Sequence, residues 1–142
     1  VQQLGMYVSE GLIFTTGFYW NYDDETRAFA KRFVERHGSI PNMLQAGTYS
    51  AVLHYLKGIE RAGTDETRAV MAAMREIPVN DAFARNGVLR EDGRMVHDMY
   101  LVEVKSPMEQ EERWDYLRVL DVIPGADAYR PLEESDCELV RR

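Results

Sequence analysis

The sequence has little positive charge and no long apolar segment. Its 142 residues contain 17 Lys and Arg against 24 Asp and Glu, which gives a formal net charge of −7. Because nucleic-acid binding proteins usually present clustered basic residues, this balance argues against a nucleic-acid partner. The longest apolar run, residues 11–20, contains two threonines and is shorter than the roughly 20 residues that a membrane-spanning helix requires. The composition is that of one ordinary folded domain.

Residues that commonly bind metals or act as nucleophiles are also scarce. The three histidines, His37, His54 and His97, are far apart in sequence and lack the carboxylate or thiol spacing of a ligand set. Since a zinc site normally requires three or four convergent ligands, no metal is expected. No serine lies in a Gly-x-Ser-x-Gly motif, and no glycine-rich phosphate loop is present. Neither a catalytic residue nor a cofactor is therefore predicted.

The sequence contains one cysteine, Cys137, so no internal disulfide can form. Two interpretations remain open. Cys137 is either an unpaired thiol or the partner of a cysteine in a part of the protein upstream of Val1. The second interpretation requires a fragment, which we expect because the sequence starts at Val1 without an initiator methionine or a secretion signal.

Apolar spacing and helix-boundary residues predict alternating strands and helices in the first half of the chain. Residues 11–20 are a nearly continuous apolar and β-branched run, typical of a strand buried on both faces of a parallel sheet. A helix is predicted to begin near Asp23 and to end at Gly38. Residues 43–46 are expected to form a second short strand, followed by a helix over residues 49–62. This order is typical of an α/β protein.

The second half is predicted to contain one more helix and several antiparallel strands. The helix is expected between residues 65 and 77. Residues 87–90 and 95–104, which flank an Asp-Gly turn, are expected to form a hairpin with a long second strand. Residues 114–123 predict a further strand, and the chain after it is expected to be irregular.

The aromatic run at residues 18–22, Phe-Tyr-Trp-Asn-Tyr, is the most unusual feature of the sequence. It follows a predicted buried strand, and open α/β sheets bind their ligands at the carboxyl ends of strands. Phe18, Tyr19, Trp20 and Asn21 are therefore candidates to supply apolar walls, stacking surfaces and hydrogen-bonding groups for a small solute. The alternative is that these rings pack in the core beneath the next helix.

Three further candidates lie near the predicted second strand. Tyr49 is placed in the first turn of the helix that follows it, after Gly47, which permits close approach of the backbone to a ligand. Met43 and Gln45 line the same strand end. The alternative for Tyr49 is that it packs between domains.

Five short segments are informative when they are taken together. They are residues 10–14 (Glu-Gly-Leu-Ile-Phe), 28–33 (Ala-Phe-Ala-Lys-Arg-Phe), 47–52 (Gly-Thr-Tyr-Ser-Ala-Val), 59–64 (Ile-Glu-Arg-Ala-Gly-Thr) and 86–93 (Asn-Gly-Val-Leu-Arg-Glu-Asp-Gly). In order and spacing, over nearly the whole chain, they resemble the last part of the receptors of branched-chain amino-acid transporters. Tyr49 matches the tyrosine of the family's Tyr-x-Ala pattern, although Ser50 replaces the acidic residue often found next.

The resemblance implies an α/β architecture, the type I periplasmic binding protein fold, in which crossover strands join two Rossmann-like lobes. Only the C-terminal portion of such a receptor would be present. Residues 1–17 would end the middle segment of lobe 2, residues 18–93 would be the C-terminal segment of lobe 1, and residues 94–142 the C-terminal segment of lobe 2. Residues 18–21 and 91–94 would then be hinge crossovers, which places the aromatic run in the ligand cleft.

The function that this resemblance implies is solute capture for an ABC importer in the periplasm, without enzymatic turnover. The solute would be a branched-chain or other apolar amino acid, or an aromatic carboxylic acid, bound between the lobes. A membrane ABC permease would recognise the closed receptor. Two alternatives are a ligand-sensing regulatory domain on the same fold and a small α/β enzyme, although the enzyme lacks a convergent set of polar residues.

Overall fold

The computed structural model describes residues 4–138 and residue 140, and it contains both helices and strands. None of the described helices is long and apolar enough to cross a membrane. The helices are α1 (Met6–Ser9), α2 (Asp24–His37), α3 (Met43–Ala62), α4 (Thr67–Glu76) and α5 (Gly125–Ala128), with 3-10 turns at Pro107–Glu109 and Leu132–Glu134. The strands are β1 (Ile13–Thr16), β2 (Val88–Leu89), β3 (Met95–Val96), β4 (Met99–Val104) and β5 (Leu117–Ile123).

Three strands form an antiparallel sheet in the order β1-β4-β5. β4 lies in the centre, and its Val102 and Val104 are buried. The prediction of a strand buried in a parallel sheet differs from what the described residues show, because β1 pairs antiparallel with β4 and its first three residues are exposed. The apolar run of the sequence extends beyond the end of β1. Phe18 and Tyr19 follow the strand, lie outside the sheet and are buried. An apolar run alone does not distinguish these arrangements.

Helix α2 begins and ends where the sequence predicts. The Asp23 side chain accepts a hydrogen bond from the Thr26 main-chain N–H at 2.8 Å, while the Thr26 hydroxyl oxygen accepts one from the Asp23 N–H at 2.9 Å. This reciprocal pair satisfies donors that a helix start leaves unpaired. Gly38 ends the helix with φ 82, a left-handed conformation that glycine adopts without steric cost.

The prediction of a strand at residues 43–46 was wrong, because these residues form the first turn of α3. Asn42 caps the helix by accepting from the Gln45 N–H at 2.9 Å, and the Gln45 side chain accepts from the Asn42 N–H at 3.0 Å. An Asn-x-x-Gln sequence is a helix-start signal of the capping-box type. Tyr49 consequently lies in the second turn of a longer helix.

The helices pack around a core that includes the beginning of the aromatic run. Phe18 is 5% exposed and contacts Phe29 of α2 edge to face, with ring centroids 5.9 Å apart. Its ring stacks on Phe83 at 6.4 Å. Ala46 of α3 and Ala82 complete the buried cluster. The predicted alternative, core packing of an aromatic from this run, is therefore correct for Phe18.

The predicted hairpin is present, but its long second strand is divided. β2 and β3 pair antiparallel across the Asp-Gly turn, and the chain then leaves this pair at His97 and Asp98. The Asp98 carboxylate accepts a hydrogen bond from the Gly125 N–H at 2.9 Å, and β4 joins the other sheet. The Asp98–Gly125 contact joins residues 27 positions apart, so local sequence did not indicate the break.

We expect Gly125→Ala to lower the free energy of unfolding by about 1–3 kcal/mol, because it overpacks a closed contact. A β-carbon at Gly125 would lie 3.0 Å from the His97 carbonyl carbon and oxygen, and these main-chain atoms cannot rotate away. Gly47→Ala is the matched control, since its β-carbon would come no closer than 3.4 Å to Phe83, and alanine stabilises a helix interior by up to about 1 kcal/mol. Urea unfolding measures both changes. Equal stability of Gly125→Ala and the wild type would contradict the prediction.

Candidate functional site

An open groove of about 530 Å³ lies between the segment after β1, the start of α3 and the loop before β5. Five of the seven predicted site residues line this groove, which we call the aromatic groove: Phe18, Tyr19, Trp20, Met43 and Gln45. The other lining residues are Leu4, Thr16, Ser39, Ile40, Pro41, Asn42, Trp114, Tyr116 and Leu117. The structure thus brings together residues that are distant in sequence, on a concave surface that combines aromatic and apolar side chains with uncharged polar ones, as small-molecule sites do.

Tyr19 is anchored to the loop before β5 by a buried hydrogen bond. The residue is 6% exposed, and its hydroxyl donates to the Asp115 carboxylate at 2.6 Å. The Lys105 ammonium donates to the second oxygen of the same carboxylate at 2.6 Å. The Glu111 N–H adds a longer contact of 3.4 Å. Tyr19 therefore lines the groove with a hydroxyl that is already bonded within the chain.

Burial and the neighbouring carboxylate change the ionisation of this pair in opposite directions. Burial raises the pKa of Tyr19, and the hydrogen bond to Asp115 raises it further. Burial opposes ionisation of Asp115, but the hydrogen bonds from Lys105 and Tyr19 outweigh it and hold the pKa of Asp115 below its ordinary value. At neutral pH the network is a neutral phenol, a carboxylate and an ammonium, with each charge compensated.

Trp20 is attached to the same loop through the main chain of Trp114. The Trp20 indole N–H donates to the Trp114 carbonyl oxygen at 3.1 Å. Trp114 has φ 71, a left-handed conformation that is unfavourable for a bulky residue. The Arg113 guanidinium lies over the Trp114 ring, 4.2 Å from its centroid, an arrangement that favours a cation–π contact. Both tryptophans of the sequence thus line the aromatic groove.

Met43 and Gln45 form the wall of the groove at the start of α3. The Met43 sulfur accepts a hydrogen bond from the Gly17 N–H at 3.3 Å and lies 3.9 Å from the Thr16 hydroxyl oxygen. These contacts join α3 to the end of β1. Gln45 uses its carbonyl oxygen to cap α3, so its position is fixed by the helix start.

Asn21 and Tyr49 do not line the aromatic groove. The Asn21 side chain accepts a hydrogen bond from Arg27 at 3.2 Å and lines a smaller depression beside Tyr19. Tyr49 packs against Phe29, with ring centroids 5.0 Å apart. The extra helical turn at the start of α3 separates Tyr49 from the opening. Ligand contacts by Asn21 and Tyr49 stay predictions.

Trp114 and Tyr116 also line the groove, although the sequence pattern predicts that they belong to a strand starting at residue 114. That strand, β5, begins only at Leu117. The available signal was the Trp-Asp-Tyr sequence directly after a polar, acidic loop. Two large aromatics beside an acidic residue are typical of a half-buried polar site. Because they are more than 90 positions from Trp20 in the sequence, nothing local indicates that they line the same groove.

The described residues contain no group of three or more His, Cys, Asp or Glu side chains that could hold a metal ion. The three histidines have separate environments. His54 is buried with Nε2 at 2.9 Å from the Met74 carbonyl oxygen, and His97 contacts the Asp98 carbonyl oxygen at 2.7 Å. Cys137 is partly buried as a free thiol, and nothing in the described residues supports a disulfide there.

Comparison with known families and structures relates the chain to solute-binding proteins. The family model described as "Periplasmic binding protein" matches residues 1–110. A periplasmic binding protein from Burkholderia mallei is 41% identical over 98% of this chain, with a TM-score of 0.94. A branched chain amino acid ABC transporter periplasmic ligand-binding protein from Burkholderia xenovorans is 45% identical over 99% of this chain, with a TM-score of 0.94.

The chain spans only part of these relatives, since it covers 37% of the length of each of the two Burkholderia proteins. A solute binding protein of an ABC transporter from R. palustris, in complex with benzoate, is 18% identical over 82% of this chain and 31% of its own, with a TM-score of 0.64. That likeness shows the fold alone. No curated protein matches the chain.

Proposed function

Because this chain belongs to the periplasmic binding protein family, we propose that it forms one wall of a cleft that captures a small solute for transport. The aromatic groove is the observation that carries this proposal. Residues from the end of β1, the start of α3 and the loop before β5 meet around a single opening. In the proposed receptor, the remainder of the polypeptide supplies the opposite wall of the cleft.

The lining of the groove supports an apolar or aromatic ligand. None of the described residues that line it has a charged side chain. Such a surface suits the side chain or ring of a ligand, and the ligand's charged group would bind to the remainder of the receptor. We therefore propose a branched-chain or other apolar amino acid, or an aromatic carboxylic acid. The name of the Burkholderia xenovorans relative supports the amino-acid class, and the aromatic, uncharged lining of the groove supports the aromatic acid.

We propose that residues 18–93 belong to one lobe and that residues 1–17 and 94–142 belong to the other. The pairing of β1 with β4 supports this division, since it joins the two outer segments in one sheet. α3 packs on α4, so the main helices of the intervening segment, residues 18–93, contact each other. Residues 18–21 and 91–94 would then cross between the lobes, and the aromatic groove would lie at the first crossing.

In this proposal the receptor acts in the periplasm and delivers its solute to an ABC permease in the membrane. The receptor binds and releases the solute unchanged, so no catalytic residue is required. Closure of two lobes around a bound solute is a familiar form of conformational change, in which a few residues between the lobes absorb the backbone rotation.

The proposal is tested by screening the complete receptor against amino acids, aromatic carboxylic acids and short amides. We expect one of the first two classes to raise the melting temperature, and isothermal titration calorimetry to give saturable binding to one site. An absence of any thermal shift across the whole library would contradict the proposal.

Replacement of Trp20 by alanine is expected to weaken binding of the identified solute at least about tenfold, because an aromatic wall at the centre of a site contributes strongly to affinity. Tyr22→Ala is the matched control. Tyr22 belongs to the same aromatic run, but its ring packs on Tyr100 with centroids 4.5 Å apart and does not line the groove. Calorimetry on both variants measures the difference. Equal losses of affinity would argue against a specific role for Trp20.

A further inference from the structure

We propose that Asp115 is a positioning residue of the aromatic groove, which holds Tyr19 directly and Trp20 through the main chain of Trp114. Asp115 does not line the groove itself, so it would act through these neighbours. This inference rests on the proposed function, because it concerns the same ligand site.

Two consecutive residues of the aromatic run are attached to two consecutive residues of the loop. The Tyr19 hydroxyl donates to the Asp115 carboxylate at 2.6 Å, and the Trp20 indole N–H donates to the Trp114 carbonyl oxygen at 3.1 Å. Each bond fixes the direction of one aromatic side chain. Together they attach both groove-lining side chains to the loop before β5.

The loop is itself held in place by the buried carboxylate. The Asp115 side chain is 2% exposed and pairs with Lys105, which follows β4. This ion pair ties the end of the loop to the end of the central strand. The Tyr116 N–H also donates to the Trp114 carbonyl oxygen at 2.9 Å, so that oxygen accepts from both the loop and Trp20. A change at Asp115 would therefore act on Trp114, its neighbour in the chain, and on Trp20 through the hydrogen bond to the Trp114 carbonyl oxygen.

The unusual backbone conformation of Trp114 supports a role for this loop in positioning the side chains of the groove, and not only in packing. A left-handed conformation at a tryptophan, φ 71, is unfavourable and persists only when its surroundings enforce it. Here it coincides with a carbonyl oxygen directed at Trp20 and with a Trp114 ring that lines the groove. Strained residues of this kind concentrate at ligand sites.

The test uses the complete receptor carrying Asp115→Asn, a substitution that keeps the shape of the side chain but removes its charge. We expect the affinity for the identified solute to fall at least tenfold. With 5-fluorotryptophan incorporated, we also expect the fluorine NMR resonances of Trp20 and Trp114 to shift, and Trp20→Phe and Trp114→Phe assign them. Glu109→Gln is the matched control: Glu109 lies in the same loop and pairs with Arg118, without contact to Tyr19 or Trp20.

The outcomes separate this inference from the proposed function. If Asp115→Asn folds and keeps both wild-type affinity and wild-type fluorine resonances, the inference is overturned. A variant that loses stability while the affinity of its folded form and its resonances stay unchanged also overturns it, since that result indicates a purely structural role. If the wild type binds no member of the library, the proposed function fails. The inference about Asp115 is then decided by the fluorine resonances alone, and unchanged resonances in Asp115→Asn would overturn it.

A second variant serves if Asp115→Asn does not fold. Tyr19→Phe removes one hydroxyl and leaves the Lys105–Asp115 pair intact. We expect this variant to bind the solute about threefold to tenfold more weakly, because one of the two attachments is lost. Wild-type affinity together with an unshifted Trp20 resonance would overturn the inference.

Discussion

Phe18→Ala is expected to lower the free energy of unfolding of the complete receptor by about 3–5 kcal/mol, the usual cost of truncating a buried phenylalanine. Phe18 is 5% exposed and packs between Phe29 and Phe83. It also lines the aromatic groove. We therefore expect the solute affinity to fall as well, by at least about tenfold, because the groove loses part of its apolar wall. Urea unfolding and calorimetry measure the two effects.

Phe29→Ala separates packing from binding. Phe29 belongs to the same buried cluster and is also 5% exposed, but it does not line the groove. The Phe29→Ala variant should lose about as much stability as Phe18→Ala, while its folded form keeps most of its affinity for the solute. If both alanine variants are too unstable to study, Phe18→Leu and Phe29→Leu provide the same comparison with smaller cavities. Equal loss of affinity in both variants would show that Phe18 acts through the core alone.

Lys105→Met is expected to destabilise the complete receptor by about 3 kcal/mol at neutral pH, because it leaves a buried carboxylate without its counter-charge. The Asp115 side chain is 2% exposed, and Lys105 is 19% exposed. Arg118→Met is the control. Arg118 pairs with Glu103 and Glu109 while 48% exposed, and exposed pairs contribute only about 0–1 kcal/mol. A loss as small for Lys105→Met as for Arg118→Met would contradict the prediction.

The effect of Lys105→Met should depend on pH. In the wild type, hydrogen bonds hold the pKa of Asp115 below its ordinary value despite burial. The lowered pKa of Asp115 stabilises the folded wild type at pH values above about 3.9, the pKa of the unfolded chain. That stabilisation is lost as the pH falls through the lower folded pKa. Replacing Lys105 removes the strongest of the hydrogen bonds that oppose the effect of burial. We therefore expect the folded pKa of Asp115 to rise above its ordinary value in the variant, so that acidification reduces the cost of the substitution. Urea unfolding between pH 7 and about pH 4 should show the two free energies converging.

Local sequence signals predicted the elements that depend on neighbouring residues. The bounds of α2 follow from Asp23 and Gly38, and both act as predicted. The resemblance to branched-chain amino-acid receptors is confirmed by the family model and by the Burkholderia structures, and the type I fold with it. Asn42 and Gln45 indicate the start of α3 in the same way, whereas the short apolar run over residues 43–46 predicts a strand and is misleading.

The candidate site was predictable only in part. The aromatic run and Met43 are candidates because they lie at the ends of predicted strands, where open α/β sheets bind their ligands, and five of the seven candidates do line one groove. The loop before β5 was missed because its contact with the run joins residues more than 90 positions apart, such as Tyr19 and Asp115. Spacing along the chain contains no information about such a pair.

The sequence by itself determined the family, the boundaries of α2 and the aromatic character of the candidate cleft, because each depends on residue type and short-range order. The tertiary structure decided which polar groups of that cleft are already occupied. The Tyr19 hydroxyl and the Trp20 indole N–H, both candidates to bind a solute, are bonded to Asp115 and to the Trp114 carbonyl. The physical reason is that a buried donor must find an acceptor, and only the folded chain determines which acceptor lies within reach.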